Sequence, residues 1–235
     1  MLNASEAVRL DSNFLYLNSK AYVYGEKLFE IARAADKQAK KSGINILLSP
    51  QPTAIADLAA AVEELIIFAQ HIDPIKKGRG HGALLPEAVK AAGAEGAVLN
   101  HAEKPLKLSV LSRTVKRARS LGLLTVIAAA SAREAAAAAS LAPDMVMVEP
   151  AELIGSGKTS SSGYISETIK SVKQVDPAIK IIQGAGISTY EDAARIIKAG
   201  ADGVGTASGV FQADKPVKVI EELVQGVLAG REDSR

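Results

Sequence analysis

Side chains that could carry out acid–base chemistry stand just after several apolar runs of the sequence. Lys20 follows the first run, His101 the fourth and Glu149 the sixth. A carboxylate can act as a general base, an imidazole can polarise a reacting group, and an ammonium can offset negative charge. Each residue also has a plainer interpretation, as an exposed loop lysine, a loop histidine before a helix, or a charge that ends a strand. Together they predict a catalytic site if the fold brings these positions to one place.

Other polar residues and two glycine-rich turns also lie directly after apolar runs. Asn18 precedes the lysine, Glu103 follows the histidine, and His71 comes after the third run, where it is expected to cap its loop or to serve a subunit contact. The seventh and eighth runs lead into QGAGIST (183–189) and VGTASG (204–209). Glycines there could be steric necessities, but such turns often bind phosphate through backbone N–H groups. A phosphate-bearing substrate is therefore expected.

The apolar runs alternate with helical patterns. Runs that are apolar at every position are typical of parallel strands buried on both faces. Eight such strands, each followed by a helix, predict a single (β/α)8 barrel domain over residues 1–235. An open, doubly wound sheet is the alternative, because the pattern does not say whether the sheet closes. The predicted strands are residues 14–17, 44–48, 65–69, 97–99, 123–128, 145–148, 179–183 and 203–204.

Several predicted helices begin and end at capping residues. A serine with a glutamate three positions later is typical of a helix start, and it occurs at Ser131 with Glu134 and at Ser188 with Glu191. Glycine stops follow helical patterns at positions 43, 122 and 200. Residues 1–12 form a lead-in to which no function is assigned.

Composition excludes several functional classes. The chain has no cysteine, so disulfides, thiolate metal sites and a cysteine nucleophile are ruled out. The net charge is +2 and the basic residues are spread along the chain, so we expect no nucleic-acid partner. No apolar run is long enough to span a bilayer, and we expect a cytoplasmic protein without membrane association. The three histidines lack metal-ligand spacing, so no metal is expected.

The segment VEPAELIGSGKTSSSG (148–163) superficially resembles a nucleotide-binding loop. The phosphate loop of nucleotide hydrolases requires a glycine five positions before Gly157, where this chain has Glu152. The dinucleotide fingerprint fails in residues 184–189, because Thr189 stands at the third glycine position. Both nucleotide motifs are rejected. The stretch after Glu149 is interpreted as a lid over a small substrate, with the serines after Thr159 leading into the next helix.

Taken in order, five short motifs resemble those of the triosephosphate isomerase family, in particular its short archaeal branch. The resemblance extends from about residue 14 to residue 226. Each motif alone is weak, but the ordered set is specific. The motifs are NSK (18–20), NHAE (100–103), VEPAELIGSGK (148–158), GAG (184–186) and ASG (207–209).

This resemblance implies a reaction and roles for the residues. Dihydroxyacetone phosphate and glyceraldehyde 3-phosphate would be interconverted through an enediolate, without metal or organic cofactor. Glu149 would be the base, His101 a neutral electrophile and Lys20 the cation, with a helix N-terminus after the histidine favouring the neutral ring. The resemblance also implies a homo-oligomer, either dimer or tetramer. Further implied positions are Asn18 beside the lysine, Glu103 as its carboxylate neighbour, Gly155 in the lid, and Gly186, Ala207 and Ser208 in the phosphate turns.

The chain departs from the family in several places, including Ala102 and the third loop, and two rival functions stay open. Ala102 stands where the family commonly has serine, and KGRGHGALL (77–85) differs from the third loop that reaches a neighbouring subunit in the family. One rival is another phosphate-binding barrel enzyme, such as an aldolase that forms a Schiff base on Lys20. The other is a barrel that binds a phosphometabolite without turnover.

Overall fold

Eight parallel strands form a closed barrel. The computed structural model describes Leu10 and residues 13–155 and 157–232, so most of the lead-in lies outside the described residues. Each strand pairs with the next and β8 pairs with β1, which confirms the (β/α)8 or TIM barrel and excludes the open sheet. The strands are β1 (Phe14–Asn18), β2 (Ile46–Ser49), β3 (Ile66–Ala69), β4 (Gly96–Leu99), β5 (Leu124–Ala129), β6 (Met145–Val148), β7 (Lys180–Gln183) and β8 (Gly203–Thr206).

Helices follow the strands and cover the outside of the barrel. Two short 3₁₀ turns, Pro52–Ala54 and Ala151–Leu153, lie in the loops after β2 and β6. Among the described residues, no helix is long and apolar enough to cross a membrane. The helices are α1 (Gly25–Ser42), α2 (Ile55–Ala61), α3 (Pro86–Ala91), α4 (Leu108–Ser120), α5 (Ala132–Ala139), α6 (Ser162–Lys173), α7 (Tyr190–Lys198), α8 (Ser208–Phe211) and α9 (Pro216–Glu232).

The predicted end of α1 is confirmed, and the predicted start of α5 is confirmed in part. Helix α1 ends at Gly43, whose φ of 70° lets its N–H reach the carbonyl of Ala39. At the start of α5, the Ser131 hydroxyl accepts the N–H of Glu134 at 3.2 Å. The Glu134 carboxylate turns instead to the N–H of Ala130 at 2.8 Å, so the capping box predicted at this helix is only half formed.

The cap of α7 lies one residue later than predicted. Thr189, not Ser188, is the N-cap, and its hydroxyl accepts the N–H of Asp192 at 3.2 Å. The carboxylate of Asp192 faces the N–H groups of Ser188 and Thr189, both at 3.3 Å. Ser188 with Glu191 and Thr189 with Asp192 fit the same pattern, and the reach of Asp192 to both N–H groups favours the second pair.

The core consists of two layers separated by the strands. In β1, Phe14 and Tyr16 point into the barrel, whereas Leu15 and Leu17 pack against the surrounding helices. Leu10 packs against the cluster inside the barrel. Because the strands are buried on both faces, polar side chains are accommodated mainly at their ends. All eight carboxyl ends meet at one rim, which is where the candidate residues lie.

Candidate active site

Lys20 sits on a constrained turn directly after β1. Its φ is 44°, a left-handed conformation that residues with side chains rarely adopt. The Lys20 N–H donates to the Asn18 side-chain oxygen at 3.0 Å, and the Lys20 carbonyl accepts the amide groups of Gln51 and Gln70, each at 3.0 Å. The sequence reveals no role for Gln51 and places Gln70 only at the end of a strand. These hydrogen bonds hold the turn in its conformation.

Lys20 and Glu103 form an ion pair at the rim. Lys20 Nζ lies 2.5 Å from Glu103 Oε1, and the lysine side chain is 11% exposed against 60% for the glutamate. Burial alone would raise the pKa of the Glu103 carboxyl, but the hydrogen bond and charge of Lys20 hold this pKa below its usual value. The carboxylate therefore stays ionised and keeps the ammonium at this position.

His101 is oriented by backbone contacts. The N–H of Glu103 points at His101 Nδ1 at 3.2 Å. A nitrogen that accepts a hydrogen bond carries no proton, so the neutral ring has its proton on Nε2. The helix expected directly after the histidine begins only at Leu108, and the N–H that His101 Nδ1 accepts comes from the intervening turn.

His101 Nε2 and the carboxylate of Glu149 face one another. Among the described residues, His101 Nε2 is buried without a hydrogen-bond partner, and it lies 3.4 Å from Glu149 Oε2. The two side chains are 11% and 16% exposed. A Cβ at position 184 would overlap the Glu149 side chain, so Gly184 leaves the space that this side chain fills. A buried donor and a buried carboxylate are thus directed at the same space.

Asn100 supports the loop that carries His101. Its φ is 58°, and its side-chain amide donates to the Ala128 carbonyl at 3.0 Å. Its side-chain oxygen accepts the N–H of Leu106 at 2.9 Å. Asparagine tolerates a left-handed backbone better than most residues, which explains its place at the end of β4. The loop is thereby tied to β5 and to the approach to α4.

The turns after β7 and β8 meet the lid (residues 150–155 and 157–158) across a narrow cavity. Consecutive left-handed residues, Ala185 and Gly186, shape the first turn, each with a φ of 69°. A Cβ at Gly186 would collide with the backbone of Lys158, so the far limb of the lid packs directly on this turn. The cavity brings predicted residues together, and its lining includes Lys20, Glu149, Gly155, Gly186, Ala207 and Ser208.

The lid is anchored where it joins the next helix. Gly155 and Gly157 have φ of 73° and 71°, values that suit glycine. Beyond the lid, Arg195 donates to the Ser160 carbonyl at 3.1 Å and to the Thr159 hydroxyl at 2.9 Å. The sequence does not reveal this contact, because Arg195 belongs to α7 and is distant along the chain.

A second cavity of about 300 Å³ opens beside the first. Lys20, His101 and His71 contribute to its lining. His71 Nε2 lies 3.2 Å from Asp73 Oδ1, and Asp73 accepts the Leu84 N–H at 2.8 Å while its own N–H donates to the Leu84 carbonyl at 3.0 Å. Asp73 thus clamps both ends of the third loop (residues 73–84), so the structure assigns the loop-capping role to Asp73 and leaves His71 as its partner.

Comparison with known proteins identifies the family. The family model for triosephosphate isomerase matches residues 13–223. A triosephosphate isomerase of Methanobacterium bryantii is 38% identical over 92% of this chain and 98% of its own length. The chain belongs to the triosephosphate isomerase family. Other triosephosphate isomerases, from Sulfurisphaera tokodaii and Methanoculleus marisnigri, are 38% and 39% identical, over 91% and 92% of this chain and 95% and 99% of their own lengths. As a member of the family, the chain is an isomerase.

Proposed function

We propose that Glu149, His101 and Lys20 carry out the interconversion of dihydroxyacetone phosphate and glyceraldehyde 3-phosphate in this chain. The observation that carries the proposal is the opposition of Glu149 Oε2 and the unpartnered His101 Nε2 at 3.4 Å. Isomerisation moves a proton between two adjacent carbons and moves the carbonyl with it. Such a reaction needs a base facing the carbons and a donor facing the oxygens.

Glu149 removes the proton next to the substrate carbonyl and returns it to the neighbouring carbon. The bond electrons move into the carbonyl as an enediolate forms, and His101 Nε2–H stabilises its developing charge. A neutral ring suits this task, and the Glu103 N–H at His101 Nδ1 favours that tautomer. Lys20 offsets the negative charge of the substrate and the intermediate, while the ion pair with Glu103 holds its ammonium at the rim.

The substrate phosphate binds at the turns after β7 and β8. Backbone N–H groups near Gly186, Ala207 and Ser208 supply donors, and the lid covers the group once it is bound. In the described conformation the cavity holds only about 20 Å³, little more than the roughly 10–15 Å³ that one water requires. The lid must therefore move outward to admit substrate, and Asn18 stays with Lys20 on the fixed side.

We further propose that the chain works as a homo-oligomer, dimer or tetramer. The cavity of about 300 Å³ opens to solvent beside Lys20 and His101, although an enediolate phosphate decomposes unless water is excluded. A neighbouring copy that covers this opening would complete the site. Because the reaction connects glycolysis and gluconeogenesis, we also propose a cytoplasmic location.

The rival aldolase is disfavoured by the surroundings of Lys20. A Schiff base requires an amine that is free to attack a carbonyl carbon, whereas Lys20 Nζ is held 2.5 Å from the Glu103 carboxylate in an ion pair. The second rival, a barrel that binds its ligand without turnover, would not need the Glu149 carboxylate beside His101.

A coupled assay separates the three functions. Purified protein should convert glyceraldehyde 3-phosphate to dihydroxyacetone phosphate, and borohydride added with substrate should leave it active and unlabelled. For Lys20→Ala, we expect weaker binding of a phosphate-bearing analogue as well as slower turnover. Labelling at Lys20 would indicate the aldolase, and binding without conversion would indicate the non-catalytic barrel.

A further inference from the structure

Tyr22 lines the substrate cavity, although none of the catalytic motifs contains it. It lies two residues beyond Lys20, in the turn between β1 and α1, and its residue exposure is 38%. It shares the cavity wall with Lys20 and Glu149 and with Ile154 and Gly155 of the lid. A large aromatic side chain therefore stands at the mouth of the cavity.

The turn that carries Tyr22 is held firmly. Among the described residues, Tyr22 forms a hydrogen bond only through its backbone, from its N–H to the Ser19 carbonyl at 3.0 Å. Ser19 is fully buried, and both its N–H and its hydroxyl donate to the carbonyl of Ser49 in β2, at 3.1 and 3.2 Å. The backbone at Tyr22 is thus tied to the barrel, whereas the lid across the cavity is the part proposed to move.

The turn and the lid line the same small cavity. Ile154 and Gly155 present an aliphatic side chain and bare backbone to this cavity, whose volume of about 20 Å³ is close to the roughly 10–15 Å³ that one water requires. Neither Ile154 nor Gly155 has a side chain that could form a hydrogen bond with the Tyr22 hydroxyl, so any packing between them would involve the aromatic ring. An aromatic ring against apolar lid residues favours closure by removing apolar surface from water.

We propose that Tyr22 is a positioning residue for the lid, and that its ring is the fixed surface on which Ile154 and Gly155 close to keep water from the intermediate. This inference rests on the proposed function, because it concerns the enediolate formed by Glu149. When the lid opens on the enediolate phosphate, the carbon–oxygen bond to phosphate breaks. Inorganic phosphate then leaves and the three-carbon remainder becomes a dicarbonyl, with no change in overall oxidation state. Phosphate release therefore measures incomplete closure.

The test compares Tyr22→Ala and Tyr22→Phe with Tyr24→Ala in the full-length protein. Tyr24 is a matched control, because it lies two residues further on, is 85% exposed and does not line the cavity. For each protein, isomerisation and release of inorganic phosphate are measured on the same triose phosphate, and release without enzyme is subtracted. Within the part of the chain that the structure describes, Tyr22 contributes only a backbone hydrogen bond, so thermal melting should stay close to wild type.

For Tyr22→Ala, the ratio of phosphate release to isomerisation should rise on the order of tenfold, equivalent to about 1.4 kcal/mol. Tyr22→Phe and Tyr24→Ala should keep the wild-type ratio. An unchanged ratio in Tyr22→Ala, or an equal rise in Tyr24→Ala, would overturn the proposal. A rise in Tyr22→Phe would overturn the assignment to the ring. If the wild type did not isomerise triose phosphate, the proposed function would fail before any effect of Tyr22 was measured.

Discussion

Glycines at opposite ends of the barrel occupy equally crowded positions but have different neighbours. At the amino ends of β4 and β8, a Cβ on Gly96 or Gly203 would strike the ring of Phe68 or Phe14. At the carboxyl rim, a Cβ on Gly184 would strike the side chain of Glu149. The first two glycines admit rings that fill the barrel, and the third admits a proposed catalytic group.

The comparison predicts that the two ends fail in different ways. A packed ring enclosed by strands cannot move aside, so crowding it costs stability. A carboxylate at the edge of a cavity can swing away, so crowding it costs catalytic geometry instead. The amino end is also held by Asp202, whose carboxylate accepts the Ile181 N–H at 3.0 Å and pairs with Lys173 at 3.1 Å.

The largest effect on activity is expected for Glu149→Gln. The amide keeps the shape of the side chain but cannot take the proton, so kcat should fall by roughly 10²–10⁴-fold or more, the share of a positioned general base. Urea unfolding should give an unchanged midpoint. Glu152→Gln, in the 3₁₀ turn of the lid, is the matched control and should retain activity. A Glu149→Gln enzyme near the wild-type rate would remove Glu149 from the mechanism.

Gly184→Ala should reduce activity while leaving the fold intact. The new methyl group displaces the Glu149 carboxylate, and a misplacement of about 1 Å can cost roughly 100-fold in rate. The neighbour that must move is a flexible side chain, so the free energy of unfolding should change little. Gly163→Ala, at an open position in α6, provides the control. If Gly184→Ala lowered the free energy of unfolding as well as activity, the proposed contrast between the two ends of the barrel would be contradicted.

Gly96→Ala should show the opposite result. Its Cβ would meet the Phe68 ring and also the Leu124 carbonyl oxygen at 2.7 Å, so part of the clash is with backbone. Overpacking of this kind costs about 1–3 kcal/mol of unfolding free energy, and KM and kcat measured below the unfolding transition should be unchanged. Gly205→Ala, whose nearest neighbour would be Ile182 at 3.2 Å, should cost less. A stable but inactive Gly96→Ala variant would argue against a purely structural amino end.

The smallest expected effect is on the pH dependence of stability and involves His71. It tests whether the carboxyl end of the barrel also contributes to stability. Burial lowers the pKa of the His71 ring below 6.5, although the hydrogen bond and charge of Asp73 oppose that change. Below pH 6.5 the unfolded chain therefore binds a proton that the folded chain excludes. The contribution of His71 to the free energy of unfolding should be fully present above pH 6.5. It should be lost as the pH falls from 6.5 towards the lowered pKa of the folded state.

Urea unfolding at several pH values checks this expectation. His71→Asn should flatten the pH dependence, whereas His81→Asn, at an exposed position in the third loop, should leave it as in wild type. Identical profiles for wild type and His71→Asn would show that another group controls the acid limb.

Short-range patterns were sufficient for the order of elements and for some of their ends. Predicted strand starts lie within two residues of those observed, the largest difference being residue 44 against Ile46 in β2, because an apolar run does not mark where pairing begins. The cap of α7 was misplaced by one residue, since Thr189 with Asp192 fits the capping pattern as well as Ser188 with Glu191. Such ambiguities are resolved by which hydrogen bonds the folded chain can form.

The supporting residues of the candidate site were harder to predict. Gln51 and Gln70 donate hydrogen bonds to the Lys20 carbonyl from other loops. Arg195, in α7, donates to the Ser160 carbonyl just beyond the lid. None of these residues has a chemical type or local spacing that indicates its partner. Tyr22 is near Lys20 in sequence, yet only the folded chain shows that it lines the same cavity as Ile154 and Gly155 of the lid.

The sequence by itself determined the alternation of eight strands and helices and the identities of the polar residues that end the strands. Periodicity, capping and motif order are local properties, and the chain carries them before it folds. Only the tertiary structure decided that the sheet closes, that His101 Nε2 and Glu149 Oε2 come within 3.4 Å, and that Gly184 leaves room for the carboxylate. These contacts join distant segments, because closing the barrel brings eight strand ends to one rim.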